Sequence, residues 1–201
     1  MEEDIKKRPI IVLDINGTLL KRVHRSKSEL LRDYKERGIT PDISTKDYHM
    51  YIRPNINVLI NTLHSLPVNY VFWSTAYKHN VKVMADILAS LGMDRAISAY
   101  DQTHCDKMVN RNLVMGNPKM EAALSKIKAD RFIKDLSKIS KWFDIPLEYC
   151  CLVDDNEMKS IGGQNFIEVC EFDPIQEDNE LIRLSKELER FISHLMKGIQ
   201  V

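Results

Sequence analysis

Three short apolar runs, each followed at once by polar side chains, constrain this chain more than any other feature of its sequence. The runs Pro9–Asp14 (PIIVLD), Tyr70–Trp73 (YVFW) and Tyr149–Val153 (YCCLV) are rich in β-branched and aromatic residues. Continuous apolar runs of this length are typical of strands that are buried on both faces of a parallel sheet. The sequence therefore predicts at least three buried parallel strands.

Segments with apolar residues at helical spacing separate these runs. We predict helices over 28–37, 55–66, 78–91, 118–127, 136–143 and 179–196, shorter strands over 96–100 and 166–169, and irregular structure over 101–117. Strands that alternate with helices form βαβ units, so the pattern indicates an α/β fold with a parallel sheet between two helical layers. In such sheets, ligands bind at the carboxyl ends of the strands.

Polar side chains with complementary chemistry follow the predicted strands. Asp14, Thr75 and the pair Asp154 and Asp155 all lie at carboxyl ends, and Lys134 precedes a predicted helix. Three converging carboxylates repel one another unless a cation joins them, and Mg²⁺ prefers such oxygen ligands. The metal and Lys134 can then neutralise a phosphate group while Asp14 attacks phosphorus and Thr75 donates to a phosphate oxygen. The residues thus predict phosphoryl transfer through an aspartyl-phosphate.

The order of these motifs resembles the haloacid dehalogenase (HAD) superfamily, and more closely its FCP/SCP branch of RNA polymerase II C-terminal-domain phosphatases. The likeness covers about residues 9–197 and is carried by DINGTL at 14–19, YIRP at 51–54, FWSTA at 72–76, KDLS at 134–137 and the acidic pair at 154–155. It implies one Rossmann-like HAD domain over 1–201, with a mainly parallel central sheet flanked by helices. A small insertion is expected at about 96–133, between the second and third motifs.

The resemblance also implies roles for individual residues. Asp14 takes the position of the nucleophile, which is also a metal ligand, and Thr75 and Lys134 take the positions that bind the transferred phosphoryl group. Asp155 matches a direct Mg²⁺ ligand, and Asp154 matches the carboxylate that supports it.

Position 16 departs from the pattern of the branch, which has an aspartate there as general acid, whereas this chain has Asn16. An amide cannot give and retrieve a titrating proton, and such help is typically worth ~10²–10⁴-fold in rate. The resemblance still implies that the backbone carbonyl of Asn16 binds the metal. Three explanations stay open: an engineered substitution in an active phosphatase, a natural pseudophosphatase or scaffold that binds phosphate, and a natural enzyme that is slow or obtains its proton elsewhere.

The expected function is therefore a Mg²⁺-dependent protein serine/threonine phosphatase, with a phosphorylated protein or peptide as its partner. A catalytically inactive phosphopeptide-binding module and a small-molecule HAD phosphatase are the alternatives. Within the expected insertion, Lys107, Arg111 and Lys119 are candidates for the substrate entrance.

Composition narrows the setting but not the substrate. Basic and acidic residues balance at 29 each, so net charge favours neither nucleic acid nor a membrane as partner. The N-terminus lacks an apolar signal segment and no run approaches the roughly 18 apolar residues of a membrane span, so we expect the nucleus or the cytoplasm. The sequence does not indicate an oligomeric state. We also predict a structural role for Arg53, core positions for Trp73 and Trp142, and four buried free thiols at Cys105, Cys150, Cys151 and Cys170.

Overall fold

The computed structural model of this chain describes residues 8–108 and 131–198. Its strands are β1 (Ile10–Leu13), β2 (Leu20–His24), β3 (Ile43–Ser44), β4 (Tyr48–Ile52), β5 (Asn69–Trp73), β6 (Ala99–Tyr100), β7 (Asp106–Met108), β8 (Arg131–Ile133), β9 (Cys150–Asp154) and β10 (Asn165–Glu168). Its longer helices are α1 (Ser28–Glu36), α2 (Ile56–Ser65), α3 (Lys78–Ser90), α4 (Leu136–Phe143) and α5 (Glu180–Gly198).

The five strands β10, β9, β1, β5 and β6 form the central sheet in that order, and every pairing is parallel. Side chains of β1 alternate between two cores: Ile11 and Leu13 pack on the face covered by α2, α3 and α5, whereas Ile10 and Val12 pack on the face covered by α4. This alternation is the period of two expected of a strand buried on both faces. The predicted α/β fold is confirmed.

A second sheet was not predicted. Strands β2, β4 and β3 form an antiparallel three-stranded sheet in that order, directly after the β1 strand end. Val23 and Tyr51 from this sheet pack with Tyr34 of α1 and with Phe172. The sequences LKRVH and YHMYI mix apolar and charged residues because antiparallel strands need only one buried face. Such short strands lack the continuous apolar run that identified β1, β5 and β9.

Strands β7 and β8 form an antiparallel pair, with Lys107 opposite Phe132. The stretch 101–117 was predicted to be irregular, but its described part contains β7. Residues 99–100 pair with β5 in the central sheet, so the sheet extends into the stretch that we expected to be an insertion. The helix predicted over 118–127 lies outside the described residues.

Two predictions about buried side chains are wrong. Trp142 is 46% exposed, because it stands on the outer side of α4 with its ring against Trp73, Tyr100 and His104. Cys170 is exposed as well, since it follows the edge strand β10, whereas the other three cysteines are buried free thiols as predicted. Trp73 is fully buried. Among the described residues, no helix is both long and apolar enough to cross a membrane.

Candidate active site

The register between β1 and β9 places two carboxylates side by side. Leu13 pairs with Val153, and the Asp14 N–H donates to the Val153 carbonyl at 2.9 Å. Asp154 is the last residue of β9, and Asp155 follows it. One carboxylate oxygen each from Asp14, Asp154 and Asp155 lie within 4.8 Å of one another. The structure therefore brings together the three carboxylates that the sequence placed at strand ends, and we call them the acidic cluster.

Lys134 lies between β8 and α4 and is completely buried against this cluster. Its Nζ lies 2.5 Å from Asp14 Oδ1 and 2.6 Å from Asp154 Oδ2. Its backbone is held on both sides, since its N–H donates to the Lys159 carbonyl at 2.8 Å and its carbonyl accepts from Gln164 Nε2 at 3.1 Å. Lys134 is thus fixed between two of the three acids.

A second lysine, which sequence reasoning missed, also reaches the acidic cluster. Lys159 Nζ lies 2.8 Å from Asp154 Oδ1, 3.2 Å from Asp155 Oδ1 and 3.8 Å from Asp14 Oδ1. Its side chain is 18% exposed, so it stands at the open side of the cluster. The spacing of four residues from Asp155 is a helical i,i+4 pair, but no apolar periodicity indicated a helical turn there.

A capped turn carries Lys159 back to the acids. Residues Glu157–Lys159 form one turn of 3₁₀ helix. Asn156 caps this turn, since its Oδ1 accepts the Met158 N–H at 3.0 Å. The Asn156 N–H donates in turn to Asp154 Oδ1 at 3.0 Å. The turn is therefore built on the same carboxylate that its lysine contacts.

The loop after β1 approaches the acids closely because it contains a glycine. Gly17 has φ of +96°, and a Cβ at this position would lie 2.5 Å from Asp155 Oδ2. Any larger residue would thus collide with that carboxylate as well as strain the backbone. Next to it, Asn16 is half-buried, and its Oδ1 accepts the Arg22 N–H of β2 at 2.8 Å. The Thr18 hydroxyl lies 3.4 Å from Asp14 Oδ2.

The other predicted site residues have no described contact with the acidic cluster. Thr75 lies two residues beyond β5, at the same edge of the sheet as Asp14, and is half-buried. Its hydroxyl has no hydrogen-bond partner within residues 8–108 and 131–198, which leaves its proton available to a ligand. Lys107 lies on β7, where its Nζ is 5.8 Å from the ring centroid of Phe132. Arg111 and Lys119 lie outside the described residues, so their entrance role stays a prediction.

Burial and charge set different pKa values for the three acids. Burial, together with the neighbouring Asp154, raises the pKa of Asp14 above its ordinary value, and the two lysines oppose this shift. Burial also acts to raise the pKa of Asp154, but Lys134 and Lys159 outweigh it and hold that pKa below its usual range. Burial raises the pKa of Asp155 to about 6, against the attraction of Lys159. The two lysines thus favour the ionised form of Asp154, whereas burial disfavours the ionised forms of Asp14 and Asp155.

The donor set fits a hard divalent cation. It consists of carboxylate oxygens, which Mg²⁺ prefers, and they lie close enough together to share one ion. Both oxygens of Asp154 are already engaged, Oδ2 by Lys134 and Oδ1 by Lys159 and the Asn156 N–H. Asp14 Oδ1 also meets Lys134, but among the described residues Asp14 Oδ2 has only the Thr18 hydroxyl at 3.4 Å. Asp155 meets Lys159 through Oδ1. Asp14 and Asp155 therefore have the more accessible oxygens and are the better placed of the three to hold the ion.

Arg53, from the YIRP segment, forms a separate buried charged site under the same loop. Its guanidinium pairs with both oxygens of Asp178 at 2.8–3.1 Å, donates from Nη1 to the Thr18 carbonyl at 2.9 Å and donates from Nη2 to the Cys170 carbonyl at 2.8 Å. Arg53 therefore fixes the loop that follows Asp14 without contacting the acidic cluster, which agrees with the structural role predicted for it.

A cavity of about 750 Å³ opens beside Asp155 and follows the edge strand β10 towards α5. Its lining includes the strand residues 166–169 and the charged side chains Glu171, Glu180, Arg183 and Glu187. Of the acidic cluster, Asp155 alone lines this open cavity.

Comparison with known proteins identifies the family. The model of the NLI interacting factor-like phosphatases matches residues 9–198, which is nearly the whole chain. The chain belongs to this family. The resemblance to the FCP/SCP branch is thereby confirmed, and the family to which the chain belongs is one of phosphatases. None of the curated proteins matches the chain significantly.

Solved structures share its fold at low sequence identity. Fcp1, described as an essential RNA polymerase II CTD phosphatase, is 13% identical with a TM-score of 0.52 over 95% of this chain and 50% of that chain. A variant of fission yeast Fcp1 bound to beryllium fluoride is also 13% identical, with a TM-score of 0.50 over 94% and 51%. A HAD-superfamily hydrolase from Geobacter sulfurreducens is 12% identical, with a TM-score of 0.46 over 90% and 99%. The chain thus spans about half the length of the Fcp1 structures, and its likeness to them shows the fold alone.

Proposed function

We propose that this chain is a Mg²⁺-dependent protein serine/threonine phosphatase that works through an aspartyl-phosphate on Asp14. The observation that carries the proposal is the acidic cluster, in which Asp14 lies with Asp154 and Asp155 around one point and Lys134 lies between two of them. A buried carboxylate with a fixed ammonium group beside it can approach a phosphate dianion without full repulsion.

The proposed first step uses the chain's own groups as follows. An oxygen of the Asp14 carboxylate forms a bond to phosphorus while the bond from phosphorus to the substrate oxygen breaks, and that oxygen leaves with the electron pair. Lys134 and the Thr75 hydroxyl bind the equatorial phosphoryl oxygens. Asp14, Asp155 and the backbone carbonyl of Asn16 would hold Mg²⁺, which would neutralise charge on the phosphoryl group. A water oxygen then forms a bond to phosphorus while the bond from phosphorus to Asp14 breaks, which releases inorganic phosphate and restores the Asp14 carboxylate.

Asn16 limits both steps. The leaving oxygen of serine or threonine needs a proton, and the attacking water must lose one, but an amide supplies neither service. The hydrogen bond from the Arg22 N–H to Asn16 Oδ1 can be kept by an aspartate oxygen, so the loop does not demand an amide here. The second oxygen of such an aspartate would be available to the substrate. Because the chain has an amide at position 16 and lacks this acid–base group, a second candidate function is a phosphopeptide-binding module with little turnover.

The experiment that separates the two candidates compares the chain with Asn16→Asp. We expect Asn16→Asp to raise the turnover of a phosphoserine peptide by roughly 10²–10⁴-fold, and that of an aryl phosphate by less, because an aryl oxide leaves without a proton. All turnover should vanish with a chelator and return with Mg²⁺. The matched control is Asn69→Asp, which makes the same change at the first residue of β5, at the opposite end of the strand from the site. Phosphopeptide binding with no turnover in either variant would favour the binding module.

The choice of a peptide over a small phosphate ester rests on the open groove beside Asp155. A peptide that extends from the acidic cluster past Asp155 can lie along this groove, whereas a small ester leaves the groove unfilled. We propose a phosphopeptide resembling the RNA polymerase tail, on which the similar Fcp1 is named as acting. Measured kcat/KM for Asn16→Asp on such a peptide should exceed that on a panel of sugar phosphates, and the reverse order would indicate a small-molecule phosphatase.

A further inference from the structure

We propose that Lys159 is a tethered counter-ion of the acidic cluster, which competes with the divalent cation for the same carboxylates and so sets its affinity. The inference rests on the proposed metal-dependent function. It differs from that function because it assigns a role to a residue outside the motifs, and because it predicts the strength of metal binding rather than its existence.

The contacts of Lys159 are those of a cation bound in a carboxylate site. Its Nζ lies 3.2 Å from Asp155 Oδ1 and 3.8 Å from Asp14 Oδ1, the two acids best placed to hold Mg²⁺. It also lies 2.8 Å from Asp154 Oδ1. An ammonium group within reach of all three acids occupies the space between the oxygens that a metal ion needs. The two cations therefore cannot use these oxygens fully at the same time.

The two lysines of the site differ in their freedom to leave. Lys134 has no exposed side-chain surface and touches Asp14 and Asp154 from inside the protein. Lys159 is 18% exposed and lies on the open side, so its flexible four-carbon stem can turn the ammonium group into solvent. Lys134 is thus the permanent positive charge, and Lys159 is the replaceable one.

Charge balance supports an exchange of one cation for the other. The three carboxylates carry three negative charges against two ammonium groups, so the cluster has an excess of one negative charge when all are ionised. A divalent cation added to both lysines would leave one positive charge in excess. Entry of the ion with release of Lys159 to solvent instead leaves the cluster neutral. Like charges a few ångströms apart in a partly buried site repel strongly, which favours the exchange.

The backbone around Lys159 holds the turn in place while the side chain moves. The Lys159 carbonyl accepts the Lys134 N–H at 2.8 Å, and Gln164 Nε2 donates both to the Lys134 carbonyl and to Ser160 Oγ. The anchor points of both lysines are therefore rigid with respect to each other. Exchange requires only rotation about the side-chain bonds of Lys159.

The test is calorimetric titration of MgCl₂ into the metal-free chain and into Lys159→Met. Methionine keeps much of the length of the stem and removes the charge. We expect Lys159→Met to bind Mg²⁺ at least about tenfold more tightly, since a competing cation has been removed. The control is Lys141→Met, which removes an exposed lysine in the last turn of α4 and should leave the affinity unchanged.

A second measurement works on the unaltered chain and does not depend on a variant folding. With ¹³Cε-labelled lysine, the NMR signal of Lys159 should shift towards that of a free lysine when Mg²⁺ is added, while the signal of Lys141 stays in place. A Lys159 signal that does not move at saturating Mg²⁺ would overturn the inference.

The outcomes separate this inference from the proposed function. Tighter Mg²⁺ binding by Lys159→Met supports the inference, whereas equal or weaker binding overturns it and leaves the metal site of the proposed function standing. Absence of Mg²⁺ binding in both proteins, confirmed with Mn²⁺ by electron paramagnetic resonance, overturns both.

Discussion

Two groups of buried charges lie under the loop that follows β1, and they are satisfied to different degrees. Around Arg53, one guanidinium meets one carboxylate and two backbone carbonyls, and each of its three nitrogens donates at least one hydrogen bond. In the acidic cluster, three carboxylates share two ammonium groups. The first group has one cation for one anion, while the second has three acids for two cations and can accept a further cation.

The balance between positive and negative charges therefore distinguishes buried ions with a structural role from buried ions with a functional role. A balanced pair whose partners are all satisfied contributes to folding and is costly to break. An unbalanced cluster opposes folding through repulsion and is kept for its chemistry. Substitutions that remove one charge should therefore have opposite consequences in the two groups.

The largest expected effect is that of Asp14→Asn on catalysis. Removing the nucleophile should reduce turnover by at least about 10³-fold, measured in the Asn16→Asp background where turnover is high. Its stability without Mg²⁺ should equal or exceed that of the parent, because burial and Asp154 raise the pKa of Asp14 and so already oppose its charge. Urea unfolding without Mg²⁺ measures this stability. A large loss of stability would show that Asp14 is structural, as Arg53 is.

Arg53→Met should give the reverse pattern. It leaves the half-buried Asp178 with the Glu180 N–H but without its cation, and it frees two carbonyls, so we expect a loss of about 3–5 kcal/mol in the free energy of unfolding. Turnover per folded molecule, assayed well below the melting temperature, should change far less than in Asp14→Asn. A variant that keeps full stability but loses turnover would place Arg53 in the active site.

Gly17→Ala tests the close approach of the loop to the acidic cluster. Its positive φ should cost about 1–3 kcal/mol of stability, and the new Cβ should also displace the Asp155 carboxylate. Gly38→Ala is the matched control, since Gly38 also has a positive φ but has nothing within 4 Å of the added Cβ. Both variants should lose stability, and Gly17→Ala alone should lose Mg²⁺ affinity in calorimetric titration. Equal Mg²⁺ binding by the two would exclude Asp155 as a metal ligand.

The residues of these two charged groups could be predicted from the sequence to different degrees. Asp14, Asp154 and Lys134 follow from apolar runs and motif order, because a parallel sheet gathers whatever ends its strands at one edge. Lys159 and Asp178 could not be predicted in this way. Lys159 depends on a single capped 3₁₀ turn, and Asp178 reaches Arg53 across 125 residues. Local patterns specify strand ends well, but contacts made by short turns and distant loops depend on packing that the sequence does not display. The three-stranded sheet was missed for a related reason, since its strands are half-exposed and have no continuous apolar run.

The smallest expected effect concerns an ion pair outside both groups. Lys82 and Asp86 of α3 are paired at 2.8 Å, a distance similar to those around Arg53, but their side chains are 74% and 65% exposed. Water and salt screen such a pair, so Lys82→Met should change the free energy of unfolding by no more than about 0.5 kcal/mol. Urea unfolding beside Arg53→Met makes the contrast direct, because both variants remove one cation from one carboxylate. A loss above about 1 kcal/mol in Lys82→Met would mean that distance, rather than burial and full satisfaction, governs what these pairs contribute.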